Sequence, residues 1–184
     1  MSEAPTSTVL SPTLKYDSNS KFITVAEGCF WGVEHIYNKY FSNGKGLIDC
    51  KVGYSNGNLP NPSYKRVCEG DTEYAEVLQI SYDPSVVTLR ELIEFFYKTH
   101  DPTTLNSQGR NKGTQYRSAI FYHEAEDLKI IEEVTQEYQA KWGNNITTRI
   151  EPIINFYDAE EYHQAYLEKN PEGYHCPTHF VREF

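Results

Sequence analysis

The chain has little of what several function classes require. Lysine and arginine number 17 against 26 aspartates and glutamates, a formal charge of −9. That balance lacks the basic surface that nucleic acid or an anionic membrane would demand. No stretch approaches the roughly eighteen consecutive apolar residues of a membrane-spanning helix. The N-terminal "MSEAPTSTVLSPTL" has no arginine and no apolar core, so it reads as neither a secretory signal nor a transit peptide. A cytoplasmic location is the resulting expectation. No repeat of 20 to 50 residues recurs, which removes solenoids. Four cysteines (Cys29, Cys50, Cys68 and Cys176) are too few for a disulfide scaffold. In a reducing compartment any disulfide among them would be transient and catalytic. Met1 is the sole methionine.

Aromatics are abundant at 14%, with 15 tyrosines, whose apolar body and polar tip suit a mixed pocket as well as ordinary helix faces. A length of 184 residues fits one domain with a real core. The pattern predicts three parts: a disordered arm over 1–20, a catalytic α/β domain over 21–169, and a mobile tail over 170–184.

"KFITVAEG" reads as a strand. Helix 1 follows, its stripe made by Val33, Ile36, Tyr37, Tyr40 and Phe41. "LIDCKVGY" alternates, with Ile48, Cys50, Val52 and Tyr54 on one face. After a long Asn/Pro/Gly loop (55–73) comes the strand "YAEVLQISYDP". Thr88 and Glu91 form a capping box for the next helix. A second long loop leads to the strand "YRSAIFYH" and an acidic helix over 124–141. "ITTRIEPIINFY" reads as one edge strand interrupted by Pro152. "DAEEYHQAYLEK" reads as a last helix, with Asp158 and Glu161 as its capping pair. The first six elements run β-α-β-β-α-β. The prediction is an α/β (α+β) fold, a split βαβ (ferredoxin-like) two-layer sandwich with a mixed sheet, an extra strand, extra helices and a long irregular tail.

Cys29 stands where a strand ends in Gly28 and a helix begins. Free backbone N–H groups and the helix dipole there favour a thiolate. A low thiol pKa is expected, opposed by Glu27 unless that carboxylate points to solvent. An inert buried cysteine is the plainer alternative. Cys50 is in phase with core residues, and Cys68 lies in the long loop. Cys176 sits in the tail, where a resolving thiol and an incidental exposed one are equally consistent. "HCPTH" brings His175, Cys176 and His179 together, but no second cluster completes a structural zinc site. A Cys–His hydrolase remains open, with no histidine singled out as base. His163 reads as a satisfied core histidine, and His100 as a helix C-cap. Glu76 is in phase with Leu78 and Ile80 on the expected core face. Burial keeps such a carboxyl protonated and able to act as a general acid.

Six blocks, "GCFWGVEHIY", "VGYSNGNLPNPSYKRVCEGDTEYAEVLQISYDP", "THDPT", "GTQYRSAIFY", "FYDAEEYHQAYLEKNP" and "GYHCPTHF", together resemble peptide-methionine sulfoxide reductase A, in the family's order from about Lys21 to Pro177. The tail block is most similar to fungal members. The resemblance implies reduction of methionine-S-sulfoxide, protein-bound or free, as repair of oxidative damage. It implies that Cys29 attacks the sulfoxide sulfur while Glu76, Tyr64 and Tyr116 stabilise the departing oxygen, and that Phe30 and Trp31 hold the S-methyl. It further implies a Cys29 sulfenic acid, a Cys29–Cys176 disulfide, and thioredoxin as electron donor, with no bound cofactor or metal. A monomer is expected. Some relatives carry two tail cysteines; here only Cys176 lies in the tail. The family usually has Gly-x-Asp-x-Gly-Thr-Gln-Tyr, whereas this chain has "GRNKGTQY". Asn111, at the substrate-binding Asp position, keeps an acceptor oxygen but loses the charge.

Overall fold

The computed structural model describes residues 9–184; the first eight residues of the predicted arm lie outside the described residues. Eight strands and five α-helices follow in order: β1 (Lys21–Glu27), α1 (Phe30–Phe41), β2 (Leu47–Ser55), α2 (Tyr64–Val67), β3 (Ala75–Tyr82), α3 (Leu89–Lys98), β4 (Ser107–Gln108), β5 (Asn111–Lys112), β6 (Ser118–Tyr122), α4 (Asp127–Lys141), β7 (Arg149–Pro152), β8 (Phe156–Asp158) and α5 (Tyr166–Lys169). Six strands form one mixed sheet in the order β7-β6-β1-β3-β2-β8. Strand β3 pairs antiparallel with both β1 and β2, so those two run parallel with β3 between them. Among the described residues only β6 and β7 are a parallel pair. This is the mixed α/β architecture that the succession of elements predicts.

The two sheet faces have different chemistry. On one, Ile23, Val25, Val52, Leu78, Ile80 and Ile120 join the apolar stripes of α1 and α3 in the main core. Thr88 caps α3 as its box predicts, its hydroxyl accepting from the Glu91 N–H at 3.1 Å. The other face carries Ala26, Val77, Ala119 and Phe121, but also the buried polar residues Thr24, Gln79 and Ser81. Their partners come from the chain before β1. Ser11 N donates to Gln79 Oε1 (2.7 Å), Gln79 Nε2 donates to the Val9 carbonyl (2.8 Å), and Ser81 Oγ donates to the Lys15 carbonyl (2.6 Å). Residues 9–20 are therefore docked rather than disordered. Buried strand polar groups need partners, and the arm supplies them.

Other expectations change for identifiable reasons. The segment around Pro152 makes two strands at opposite edges of the sheet: β7 pairs with β6 and β8 with β2. The stretch read as the last helix is β8, a 3₁₀ turn (Glu161–His163) and the four-residue α5, with Ala165 at φ +52° breaking continuity. Tyr40 is exposed, because α1 turns it beyond the buried stripe. Ile48 is exposed as well, since a register shift between Leu47 and Asp49 takes it off the face of Cys50, Val52 and Tyr54. The tail is packed: His179 Nε2 meets the Glu27 carbonyl at 2.7 Å, and Arg182 N donates to the Lys98 carbonyl at 2.9 Å. Among the described residues no helix is long and apolar enough to cross a membrane.

Gln79→Leu tests the docked arm. It removes three hydrogen bonds, to Ser11, Val9 and Thr24. A loss of about 1–3 kcal/mol in urea unfolding is expected. Unchanged stability would mean that the arm's contacts contribute nothing.

Candidate active site

Strand β1 ends at Glu27, and Gly28 turns the chain at φ +93°, a conformation that favours glycine. A side chain there would also overlap Gln108. The turn places Cys29 at the N-cap of α1. Glu27 is fully buried and points neither to solvent nor at the thiol. Its carboxylate accepts from Thr99 Oγ1 (2.6 Å) and lies 3.3 Å from His100 Nδ1. His100 in turn meets the Phe96 carbonyl at 2.7 Å, the cap its position predicts.

The backbone N–H groups of Trp31 and Gly32 lower the Cys29 pKa, as expected at a helix start. Burial outweighs them. With the added effect of Glu76, it pushes the thiol up to about 12. The expected low pKa is therefore corrected: at 8% exposure the resting Cys29 is a thiol.

Glu76 lies on β3 at the helix-side face, 1% exposed. Its Oε1 accepts the Phe30 N–H at 3.3 Å. Burial raises its pKa to about 8, with the Phe30 N–H and the Tyr116 hydroxyl working the other way. Oε2 has no partner of hydrogen-bonding geometry among the described residues. At neutral pH this is an uncharged carboxyl with one oxygen unengaged.

The structure brings the other predicted residues to the same place. Tyr64 opens α2 and Tyr116 ends the 3₁₀ turn Thr114–Tyr116. Their hydroxyls neighbour each other and Glu76, and burial raises both pKa values. Phe30 is buried, and Trp31 stacks on Tyr166 with ring centroids 3.8 Å apart. Asn111 Nδ2 reaches the Tyr174 hydroxyl at 3.5 Å. Tyr174 also adjoins Cys176 and lies near Cys29. Cys176 is 5% exposed and 3.1 Å from Thr178 Oγ1. It is thus held against the site in a docked segment. All four cysteines are free. Cys50 is buried as its phase predicts, and Cys68 is exposed beside Tyr64.

Several contributors escape sequence reasoning. Tyr54, from β2, donates to Glu160 Oε1 at 2.9 Å, and Glu160 Oε2 accepts the Tyr64 N–H at 3.0 Å. Glu160 thereby positions the start of α2. Tyr166 opens the short helix α5, and Tyr174 comes from the tail. The phase of Tyr54 with Val52 was a usable signal; the long-range pairings had none.

The arrangement suits a substrate with an electrophilic centre, an oxygen needing a proton and a small apolar substituent. No histidine among the described residues hydrogen-bonds Cys29, as a hydrolase would need. His163 Nδ1 accepts from Trp31, and His179 meets Glu27. The residues of "HCPTH" also diverge, His175 to the Pro171 carbonyl, Cys176 to Thr178 and His179 to Glu27.

A family profile described as "Peptide methionine sulfoxide reductase" matches residues 21–183. A peptide methionine sulfoxide reductase of Saccharomyces cerevisiae is 59% identical over 184 residues, covering 96% of this chain and 99% of its own. The fold is similar to the crystal structure of Mxr1 from that yeast in reduced form, with TM-score 0.92 and 60% identity over 96% of this chain and 100% of the other. A structure of Mxr1 in complex with Trx2 aligns with TM-score 0.69 and 45% identity, over 96% and 100% of the two chains.

A thiol with a pKa near 12 gives no thiolate absorbance between pH 6 and 9. Ultraviolet titration of the ligand-free protein against Cys29→Ser should therefore show no difference in that range. A difference titrating below pH 8 would restore the low-pKa expectation.

Proposed function

The chain belongs to the peptide methionine sulfoxide reductase family and reduces methionine sulfoxide, and we propose that it does so on the S epimer, with Cys29 as nucleophile and Glu76 as general acid. The observation that carries this reading is the buried, neutral Glu76 carboxyl with Oε2 unengaged, set beside a thiol at a helix N-cap.

The chemistry follows from the charges. A sulfoxide sulfur accepts a nucleophile once its oxygen is protonated or strongly hydrogen-bonded. Glu76 gives its proton to that oxygen, and the hydroxyls of Tyr64 and Tyr116 steady the developing charge. The Cys29 sulfur bonds to the sulfoxide sulfur, and its own proton passes to the Glu76 carboxylate. No net charge is stranded in the pocket. The sulfur–oxygen bond then breaks, oxygen passes to Cys29 as hydroxyl, and the thioether leaves. The sum is Cys29–SH plus sulfoxide giving Cys29–SOH plus methionine. Phe30 and Trp31 receive the S-methyl, a CH₃ against aromatic faces. With methyl, oxygen and chain each assigned a direction, one epimer fits. Asn111 serves the substrate backbone through its amide, without the attraction a carboxylate would add.

Cys176–SH then attacks the sulfenic sulfur and expels water, leaving a Cys29–Cys176 disulfide. A thioredoxin dithiol reduces it, as the Trx2 complex of the yeast relative suggests. Cys176 lines a surface cleft of about 250 Å³ between α1 and the tail, which gives the donor an approach. No bound cofactor or metal enters this cycle. The substrates are oxidised proteins and free methionine sulfoxide, and the role is repair of oxidative damage.

Mass spectrometry after adding a methionine S-sulfoxide without reductant should show loss of two hydrogens mapped to Cys29 and Cys176. Cys29→Ser should show no turnover, and Cys176→Ser one stoichiometric turnover without thioredoxin-supported cycling. A product burst from Cys29→Ser would refute the assignment. Glu76→Gln should lower kcat/KM by about 10²-fold or more. The parent's rate should fall as pH rises through about 8, where the acid ionises, and Glu76→Gln should lack that limb. Equal rates for parent and variant at neutral pH would remove Glu76 as the acid.

A further inference from the structure

The proposed cycle needs Cys176 beside Cys29, and one side chain ties the two segments together. His179 Nε2 meets the Glu27 carbonyl at 2.7 Å. Glu27 ends β1, directly before the Gly28–Cys29 turn. His179 also closes the turn that carries the other thiol: its backbone N–H donates to the Cys176 carbonyl at 3.1 Å. One residue therefore joins the backbone before the nucleophile to the turn that presents Cys176. Its ring packs on α1 at Gly32, where an added methyl would overlap Nδ1. Gly32 leaves the space that this approach requires.

The contacts define the imidazole. A carbonyl oxygen accepts, so Nε2 carries the proton and Nδ1 is left bare in the neutral ring. Burial favours that neutral form. Nδ1 has no partner among the described residues, so the bond to Glu27 is the polar hold on this side chain. Beyond this point the tail is pinned separately. Arg182 N donates to the Lys98 carbonyl at 2.9 Å, and the Arg182 guanidinium lies 5.5 Å from the Trp142 ring. Phe184 meets Tyr138 and Trp142 edge-on, with ring centroids 5.8 and 5.5 Å apart. Loss of the His179 bond would thus loosen the turn at Cys176 and leave the end of the chain in place.

We infer that His179 is a positioning residue for the second chemical step: by donating to the Glu27 carbonyl it holds the Cys176 turn where that thiol can reach the Cys29 sulfenic sulfur. The inference rests on the reading of Cys29 as the sulfenic acid and Cys176 as the resolving thiol. In that step the Cys176 sulfur bonds to the Cys29 sulfur and the Cys29 sulfur–oxygen bond breaks. The hydroxyl leaves as water with the Cys176 proton. Attack comes from opposite the departing oxygen, so the rate depends on where the turn is held. The role assigns His179 no proton transfer and no contact with either sulfur. Reduction of the sulfoxide precedes this step and does not depend on the bond.

Three substitutions separate the hydrogen bond from the bulk. His179→Phe keeps a ring of similar size without the donor. His179→Gln places an amide N–H near the Nε2 position. Gly32→Ala keeps the histidine and pushes its ring off the helix. Each full-length variant would be mixed with stoichiometric methionine S-sulfoxide without reductant, quenched over time and mapped by mass spectrometry. A parallel series would contain dimedone, which traps sulfenic acid, and thermal unfolding would be recorded alongside. His179→Phe should release methionine at the parent's rate but form the Cys29–Cys176 disulfide about tenfold more slowly. Its dimedone adduct on Cys29 should rise as the disulfide falls. Gly32→Ala should slow disulfide formation in the same way, and His179→Gln should recover most of the parent's rate. A folded His179→Phe that forms the disulfide at the parent's rate overturns the inference, whatever happens to its stability. So does a variant that loses methionine release and disulfide formation in equal measure. Should His179→Phe fail to fold, Gly32→Ala decides by the same criteria. A parent that releases methionine but forms no Cys29–Cys176 disulfide would instead overturn the reading of Cys176 as the resolving thiol.

Discussion

The burial of one carboxyl group organises this site. Glu76 projects from a strand into a space walled by Phe30, Tyr64 and Tyr116, and a carboxylate is poorly tolerated there. Its proton is retained to about pH 8 by desolvation. The same lack of water raises Cys29 to about 12. Two groups that water would ionise at quite different pH values are both neutral in the resting protein. The site therefore carries little charge until an oxygen able to take the Glu76 proton arrives. On this account reactivity is coupled to binding, and a nearly inert thiol avoids untimely reaction with oxidants.

The fold supplies that environment from distant parts of the chain. Strand β3 is central, which buries Glu76 from both sides. Gly28 makes the turn that sets Cys29 at the start of α1, and the Phe30 N–H joins helix to carboxyl. Glu160, from the region after β8, holds α2 and with it Tyr64. The tail closes the far side, with His179 anchored to the Glu27 carbonyl and abutting Gly32 where a side chain would collide. Cys176 is thereby kept near Cys29. On the opposite sheet face, Gln79 and Ser81 bind the arm and remove unpaired polar groups from beneath the same strands.

Much of this was legible in the sequence where the signal is local. The alternation of Glu76 with Leu78 and Ile80 places the carboxyl inward, and the Thr88–Glu91 box marks a helix start. The Gly28–Cys29 junction gives the strand-to-helix turn. Failures arose where tertiary partners decide. Pro152 reads as an interruption within one strand, but the chain crosses to the opposite edge of the sheet after it. "DAEEYHQAYLEK" has helical composition, yet Asp158 pairs in a strand, and Ala165 adopts a left-handed turn. The arm and the tail look unstructured because their order comes from hydrogen bonds to Gln79, Ser81, Lys98 and Glu27, which no local pattern announces. The thiol pKa departs from the expectation for a related reason. A helix N-terminus is visible in sequence, whereas the depth of burial that overrides it is not.

The central claim is that Glu76 is an uncharged acid in the resting protein. Isotope-edited infrared difference spectroscopy of the parent against Glu76→Gln, at neutral pH and without substrate, reads this directly. A protonated carboxyl band assigned to Glu76, lost only as pH passes about 8, is the predicted result. A carboxylate signature for Glu76 at neutral pH would contradict the account.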